Sequence, residues 1–396
     1  MQYRSTEKVP EKLSALGFGC MRFPRRKTGA VDQQKVNEQV KLAIESGVNY
    51  FDTAYIYPGS ESALGEALKT LGKRDSVYIA DKLPHYLIKK PEDMERFFQE
   101  HLARLGTDRI DFYIMHMLPD LAVWTRLKEL GIAEFLEKKK SEGKIKHIGF
   151  SYHGNTEHFV ELLDAYDWDF AQVQYNYMDE TSQAGRRGVE RAAEKGMAVI
   201  IMEPLRGGRL ADGLPQKAKD EFERVDSSIS PAQWGLKWLY KQPEITVVLS
   251  GMNHEKQVKE NTSIASETLP DKLTQAESEA FGRVKKLLSD KIRVGCTGCG
   301  YCQPCPRGVD IPGCFSAYNA RYTANFFQGM KQYFMCTTLR GKPSNASLCV
   351  GCGKCEQHCP QHIKIREELK NVTRKMENPI YKVGRWGARR IYKFDK

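Results

Sequence analysis

Eight short runs rich in apolar and β-branched residues recur along the first 251 residues, and a stretch with helical apolar spacing accompanies each. The runs are Gly17 to Met21, Val48 to Thr53, Val77 to Leu83, Ile110 to Met117, Ile145 to Ser151, Phe170 to Asn176, Met197 to Pro204 and Ile245 to Gly251. Strand then helix, repeated, implies parallel strands joined by crossover helices. Eight such units in succession close on themselves rather than form an open sheet. The expected fold class is therefore α/β, a (β/α)8 barrel. VNEQVKLAIESG, SESALGEALKTLG and PEDMERFFQEHLARLG are among its outer helices, each ended by glycine as helices often are.

The chain has 396 residues, well beyond the roughly 250 that such a barrel needs. Composition changes just after the amphipathic segment QAESEAFGRVKKLLSDK. This sets a domain boundary near Asp290, with the barrel in residues 1–290 and a second domain in 291–396. Ten of the eleven cysteines lie between Cys296 and Cys359. No apolar run has the length of a secretion signal or a membrane span, so a cytoplasmic location is expected. In a reducing compartment, thiols clustered this way indicate metal or cluster ligation rather than disulfides. The net charge is +11, and the segment from Gln361 to Lys396 holds eleven Lys/Arg against four Asp/Glu. That concentration points to an acidic partner or an anionic surface. Nucleic acid is not expected, because no recognition motif accompanies the charge.

Three consecutive strands end in a titratable residue: Asp52 in YFDTAYIY, Lys82 in VYIADKLP and His116 in DFYIMHM, with Tyr57 on the loop after the first of them. Sites of such barrels are built at the C-terminal strand ends, and neighbouring strands stand about 4.8 Å apart, so the four can converge. Free tyrosine, with a pKa of about 10, is a weak proton donor near neutrality. A cationic Lys82 beside Tyr57 would lower that value, Asp52 would keep the lysine charged and aimed, and neutral His116 could orient a carbonyl. The chemistry expected is proton donation to a carbonyl oxygen while hydride reaches the carbon. Met21, Phe23, Tyr86, Met117 and Trp124 are candidate walls of the substrate pocket.

From LGFGCMRFP through FDTAYIY to VVLSGMNHEKQVKEN, roughly residues 1 to 285, the sequence resembles an aldo-keto reductase. The resemblance implies a TIM barrel in which Asp52, Tyr57, Lys82 and His116 are the catalytic set, with Tyr57 as general acid and base. It also implies NADPH or NADH as cofactor and a small-molecule carbonyl substrate. Ser151 of GFSYHG and Gln172 of AQVQYN match the carboxamide-binding positions, although Tyr152 stands where asparagine is usual. Met202 of IIMEPLRGG falls where an aromatic ring normally stacks on the nicotinamide. Phosphates would sit over the loops after the seventh and eighth strands, where Leu205, Arg206, Gly207 and Gly208 allow close backbone approach, while Gly251, Gln257 and Asn261 match the family's adenosine end. Basic residues that would grip a 2'-phosphate are missing there, unless Lys256 or Lys259 substitutes, so the choice between the two nucleotides stays open.

In the second domain Cys296, Cys299, Cys302 and Cys305 precede Pro306, and Cys349, Cys352, Cys355 and Cys359 precede Pro360. Zinc ribbons use pairs of cysteines, whereas triplets at this pitch with a fourth before proline resemble the bacterial ferredoxin motif, here twice. The resemblance implies two 4Fe-4S clusters with exchanged fourth ligands: Cys296, Cys299, Cys302 and Cys359 on one, Cys349, Cys352, Cys355 and Cys305 on the other. The first run is one residue short before its last cysteine, and forty-three residues separate the runs, so a single cluster stays open. An acidic redox protein such as a ferredoxin or flavodoxin is the partner expected of the basic tail. The enzyme alternative is a ferredoxin-linked reductase; the alternative of another class is a redox sensor or electron carrier whose barrel binds nucleotide with little turnover.

Overall fold

The computed structural model describes residues 1–289, 292–296, 298, 300–359 and 361–392. Its strands, in chain order, are β1 (Tyr3–Arg4), β2 (Leu13–Ser14), β3 (Leu16–Gly19), β4 (Tyr50–Asp52), β5 (Tyr78–Leu83), β6 (Ile110–Met115), β7 (Ile145–Tyr152), β8 (Phe170–Gln174), β9 (Ala198–Met202) and β10 (Val247–Ser250). The last eight form a closed parallel barrel in sequence order, sealed where Leu249 of β10 stands opposite Gly17 of β3. Each of the eight runs read in the sequence supplies one barrel strand.

Strand pleating decides what lies inside, because side chains two apart share a face. Tyr50, Ala80, Phe112, Ile114, Phe170, Ala198, Ile200, Val247 and Leu249 fill the barrel's interior. Advancing two residues along the same face reaches Asp52 from Tyr50, Lys82 from Ala80, His116 from Ile114, Gln172 from Phe170 and Met202 from Ile200. The phase that packs the interior therefore carries these side chains to its C-terminal rim.

The antiparallel pair β1–β2 has no counterpart among the eight runs. Val9 and Leu13 of this hairpin are fully buried against the barrel's interior cluster. A second apolar cluster lies in the C-terminal region, around Ile311, Phe315, Tyr318, Tyr333, Leu369, Val372 and Met376. It is built mainly by helices Ile311–Thr323, Phe326–Tyr333 and Ile365–Met376, with a π-helical turn over Phe334–Thr338. Buried Glu377 ties the region together by accepting from Tyr333 Oη at 2.7 Å, Asn345 Nδ2 at 3.0 Å and the Ser347 amide at 2.9 Å. The domain boundary expected at Asp290 lies outside the described residues.

Candidate active site

Lys82 is the centre of the rim. Its Nζ donates to Asp52 Oδ1 and to the Thr53 carbonyl, both at 2.6 Å, and sits 5.1 Å from the centroid of the Tyr57 ring. The Tyr57 and His116 rings meet edge to face at 6.3 Å. Burial alone would lower the Lys82 ammonium, but Asp52 and then Tyr57 outweigh it and hold the pKa above its ordinary value. Burial, reinforced by Lys82, keeps the His116 imidazole well below its usual range and hence neutral at pH 7.

Tyr57 departs from the expectation. Burial raises its hydroxyl above the ordinary value; Lys82 is the largest opposing influence but does not overcome it. The lysine offsets the desolvation of the phenol rather than turning it into a stronger acid than free tyrosine.

Gln172 and Ser151 make protein contacts of their own. Gln172 Nε2 donates to Asp52 Oδ2 at 3.2 Å, leaving its buried Oε1 with no partner among the described residues. Ser151 Oγ accepts the Met117 amide at 2.7 Å. Met202 is half-buried at the end of β9. Leu205 packs against Gly235 of a neighbouring helix, while Gly207 and Gly208 hold φ of +70° and +95°, a region open to glycine at little cost. Gln257 and Asn261 are engaged locally, Gln257 Oε1 with the Asn253 amide and Asn261 Nδ2 with Ser250 Oγ.

Several groups at the mouth escaped the sequence reading. Arg22 spans the cleft between the two glycine sites: its guanidinium is 2.9 Å from where a Cβ on Gly207 would stand, and its Cδ is 3.0 Å from the same point on Gly251. Glu203, with φ of +52°, accepts from Lys331 of the C-terminal region at 2.9 Å. His153 offers its carbonyl to the Cys336 thiol at 3.3 Å, and burial holds the His153 and His85 imidazoles down to about 4. The C-terminal region thus lies across the rim. A cavity beside His116 is walled by His85, Tyr86, Met117 and His153 on the barrel side and by Met335 and Leu339 opposite.

Of the expected pocket walls, Tyr86 and Met117 line this cavity. Trp124 does not: it is fully buried at 4.7 Å from Trp168 and 5.3 Å from Tyr166. Phe23 likewise belongs to the core, and Met21 is exposed to solvent. Apolar residues near a strand end pack under the outer helices as readily as over the mouth.

Cys302, Cys305, Cys349, Cys352 and Cys355 line a single cavity. Thiols from the two runs therefore meet here, the four expected on the second cluster together with Cys302, which was expected on the first. Backbone amides already point at sulfur: Gly351 N–H donates to Cys349 Sγ and Gly298 N–H to Cys296 Sγ, each at 3.4 Å, contacts of the kind that tune cluster ligands. Cys296 lines a different cavity, against Asp179, Thr181 and Arg206 of the barrel. Cys359 is half-buried at the edge of the second core, and Cys299 lies outside the described residues.

A family model described as "Aldo/keto reductase family" matches residues 15–277, and one described as "4Fe-4S dicluster domain" matches residues 295–363. The chain belongs to the aldo/keto reductase family, a family of NAD(P)H-dependent oxidoreductases, and carries a 4Fe-4S domain at its C-terminal end. It is 25% identical to an aldo-keto reductase of Strobilurus tenacellus over 72% of this chain and 92% of that one. It is 26% identical to an NADH-specific methylglyoxal reductase of Escherichia coli over 61% and 86%. Among solved structures, an aldo-keto reductase from Klebsiella pneumoniae in complex with NADPH matches at a TM-score of 0.60, with 24% identity over 72% of this chain and 96% of that chain. The holo form of an aldo-keto reductase from Bacillus halodurans matches at 0.58 with the same identity and coverage. These last two likenesses concern the fold. Among the described residues no helix is long and apolar enough to cross a membrane.

Proposed function

We propose that the chain reduces the carbonyl of a small, partly apolar aldehyde or ketone to an alcohol, with Asp52, Tyr57, Lys82 and His116 as the catalytic set. The observation that carries this reading is the buried Lys82 ammonium, clamped by Asp52 and the Thr53 carbonyl beside the Tyr57 ring. Reduced NADPH or NADH supplies the hydride that the carbonyl carbon takes up. Tyr57 gives its hydroxyl proton to the carbonyl oxygen, and the adjacent Lys82 charge stabilises the phenolate left behind. Asp52 keeps that charge in place. Neutral His116 holds the carbonyl oxygen toward Tyr57 by a hydrogen bond.

Residues of the rim fit a nicotinamide nucleotide. The free Oε1 of Gln172 is an acceptor waiting for an amide N–H, and Ser151 has a hydroxyl hydrogen to donate, so the two would hold the carboxamide. Met202 would cover the ring. Arg22, with Leu205, Gly207 and Gly208, would hold the phosphates, and Gly251, Gln257 and Asn261 would border the adenosine. In this reading residues 1–290 form the reductase and 291–396 the iron-sulfur domain. Cys305 with Cys349, Cys352 and Cys355 would ligate one cluster, and Cys296, Cys299, Cys302 and Cys359 the other. Cys296, Cys302, Cys305, Cys349, Cys355 and Cys359 pack against the second apolar core, which supports a role for the clusters in holding the region in place over the mouth. Tyr301, Val350 and Cys352 lie at the surface near Arg307 and Lys354, a rim suited to exchanging electrons with an acidic carrier protein.

Protein purified anaerobically and offered a panel of aldehydes and ketones should oxidise NADPH or NADH. Tyr57→Phe should lose this turnover by about 10²–10⁴-fold while keeping nucleotide affinity. Unchanged turnover in that variant would remove Tyr57 from the reaction. Iron and sulfide near eight per chain is the result two clusters require.

A further inference from the structure

Helix Pro379–Tyr392 packs on the rest of the protein through one narrow edge. Tyr381 is buried, its ring 4.9 Å from Phe334 and its hydroxyl 2.7 Å from Thr338 Oγ1. Gly384 lies so close that a Cβ there would stand 2.9 Å from the Phe334 ring. At 3.6 residues per turn, Val383 and Trp386 then fall on the far side, with Ile380 beside them. These three are 71%, 65% and 66% exposed. The other four tryptophans, Trp124, Trp168, Trp234 and Trp238, are all buried. Lys382 is exposed next to the stripe, and no acidic residue occurs from Asn378 to Phe394, while Arg389, Arg390, Lys393 and Lys396 continue the run of cations.

We propose that this helix is an interfacial anchor for an anionic phospholipid surface, lying flat with Ile380, Val383 and Trp386 in the boundary between headgroups and acyl chains. Its fourteen residues span about 21 Å along the axis, so it rests on a bilayer and does not cross one. An anionic lipid interface offers an apolar layer and a ring of phosphates side by side. That matches the exposed stripe and the cations flanking it together. The long stem of Lys382 can reach the phosphates while the apolar stripe sinks below them. Docking to an acidic protein by charge alone would use the cations and leave three large apolar side chains in water.

The test uses the full-length, cluster-loaded protein and vesicles of phosphatidylcholine with or without phosphatidylglycerol, at low and high salt. Flotation with the anionic vesicles at low salt is expected, with release at high salt. Because Trp386 is the exposed tryptophan, its emission should shift to the blue and become protected from acrylamide on binding. Trp386→Ala should weaken the vesicle partition about tenfold, and Lys382→Glu should weaken it only for anionic vesicles. Val383→Asp should abolish flotation, and unchanged carbonyl turnover will show that it folds. Absence of flotation at low salt overturns the proposal. So does flotation indifferent to both Val383→Asp and Trp386→Ala, which would reduce the effect to charge. Binding to an acidic carrier protein that depends on Val383, with none to vesicles, overturns it in favour of a protein partner.

Discussion

At the barrel mouth Lys82 is fixed by two protein oxygens at 2.6 Å, Asp52 also accepts from Gln172, and Ser151 holds the Met117 amide. In the C-terminal region side-chain pairs such as Glu377 with Tyr333 fix the second core, while Cys305, Cys349 and Cys355 are half-exposed and Cys352 is exposed. The reductase site is therefore held in place by packing and hydrogen bonds before any ligand arrives. The cysteines sit on loops whose backbone amides face sulfur at Cys296 and Cys349, and the clusters proposed for them would supply the rest of what fixes these loops. Pre-organisation of this kind is what electrostatic catalysis demands, whereas a metal or cluster site commonly draws part of its folding energy from the metal.

Removing the ion pair at the mouth should have the largest effect. Lys82→Met leaves Asp52 buried without its cation, a defect that costs about 3–5 kcal/mol in buried pairs, and it deprives Tyr57 of the adjacent charge. Turnover should fall by about 10²–10⁴-fold, and the barrel's urea midpoint should drop with it. Turnover within tenfold of the parent would mean that the mouth is less dependent on this pair than its geometry implies.

Cluster removal should act on the other region alone. Cys355→Ser, or iron chelation, should strip hydrogen-exchange protection from residues 311–376 and leave that of strands β4 to β8 intact. Simultaneous loss in both regions would show that the barrel borrows stability from the C-terminal region.

A pH titration separates the two regions more gently. His101 Nδ1 lies 2.8 Å from both Glu61 Oε1 and Asp81 Oδ2, and Asp81 Oδ1 also accepts the Lys82 backbone amide. Burial opposes the charged imidazole, but the two carboxylates prevail and the pKa rises to about 9. The folded form then holds a proton that the unfolded chain releases near pH 6.5, so this stabilisation is complete below about 6.5 and disappears between there and about 9, amounting to about 3 kcal/mol. Unfolding free energies at pH 6.5 and 9 should differ accordingly for the barrel transition, and His101→Gln should flatten the difference.

Much of this was readable in the chain. Barrel strands announce themselves because both faces are buried and the runs are apolar, and once Ala80 and Ile114 are known to point inward, Lys82 and His116 must appear at the rim. Cysteine triplets are equally legible, because cluster chemistry fixes their spacing. The β1–β2 hairpin was not, since two-residue strands are too short to show alternation. Trp124 misled for a different reason: it lies in helix Leu121–Glu129 beyond β6, and a helical residue past a strand end can turn toward either the core or the mouth. Lys331 and Met335 left no local sign at all, because their roles depend on Glu203 and His153, more than 120 residues away in sequence.

The smallest effect bears on those invisible contacts. Met335 comes from the region that carries the cysteines, yet it faces His85, Tyr86, Met117 and His153 across a cavity next to His116. If the C-terminal region served only electron transfer, shortening this side chain would leave substrate preference alone. If it also forms one wall of the carbonyl pocket, Met335→Ala should enlarge the pocket, raising kcat/KM for branched or aromatic aldehydes relative to short ones by about tenfold, the low end of what one methylene is worth in an apolar pocket. The chemical step itself should not change, because Met335 touches none of Asp52, Tyr57, Lys82 or His116 in any hydrogen bond or ring contact described above. Selectivity would then move while kcat for the smallest substrate holds, a pattern that a merely destabilised variant would not produce.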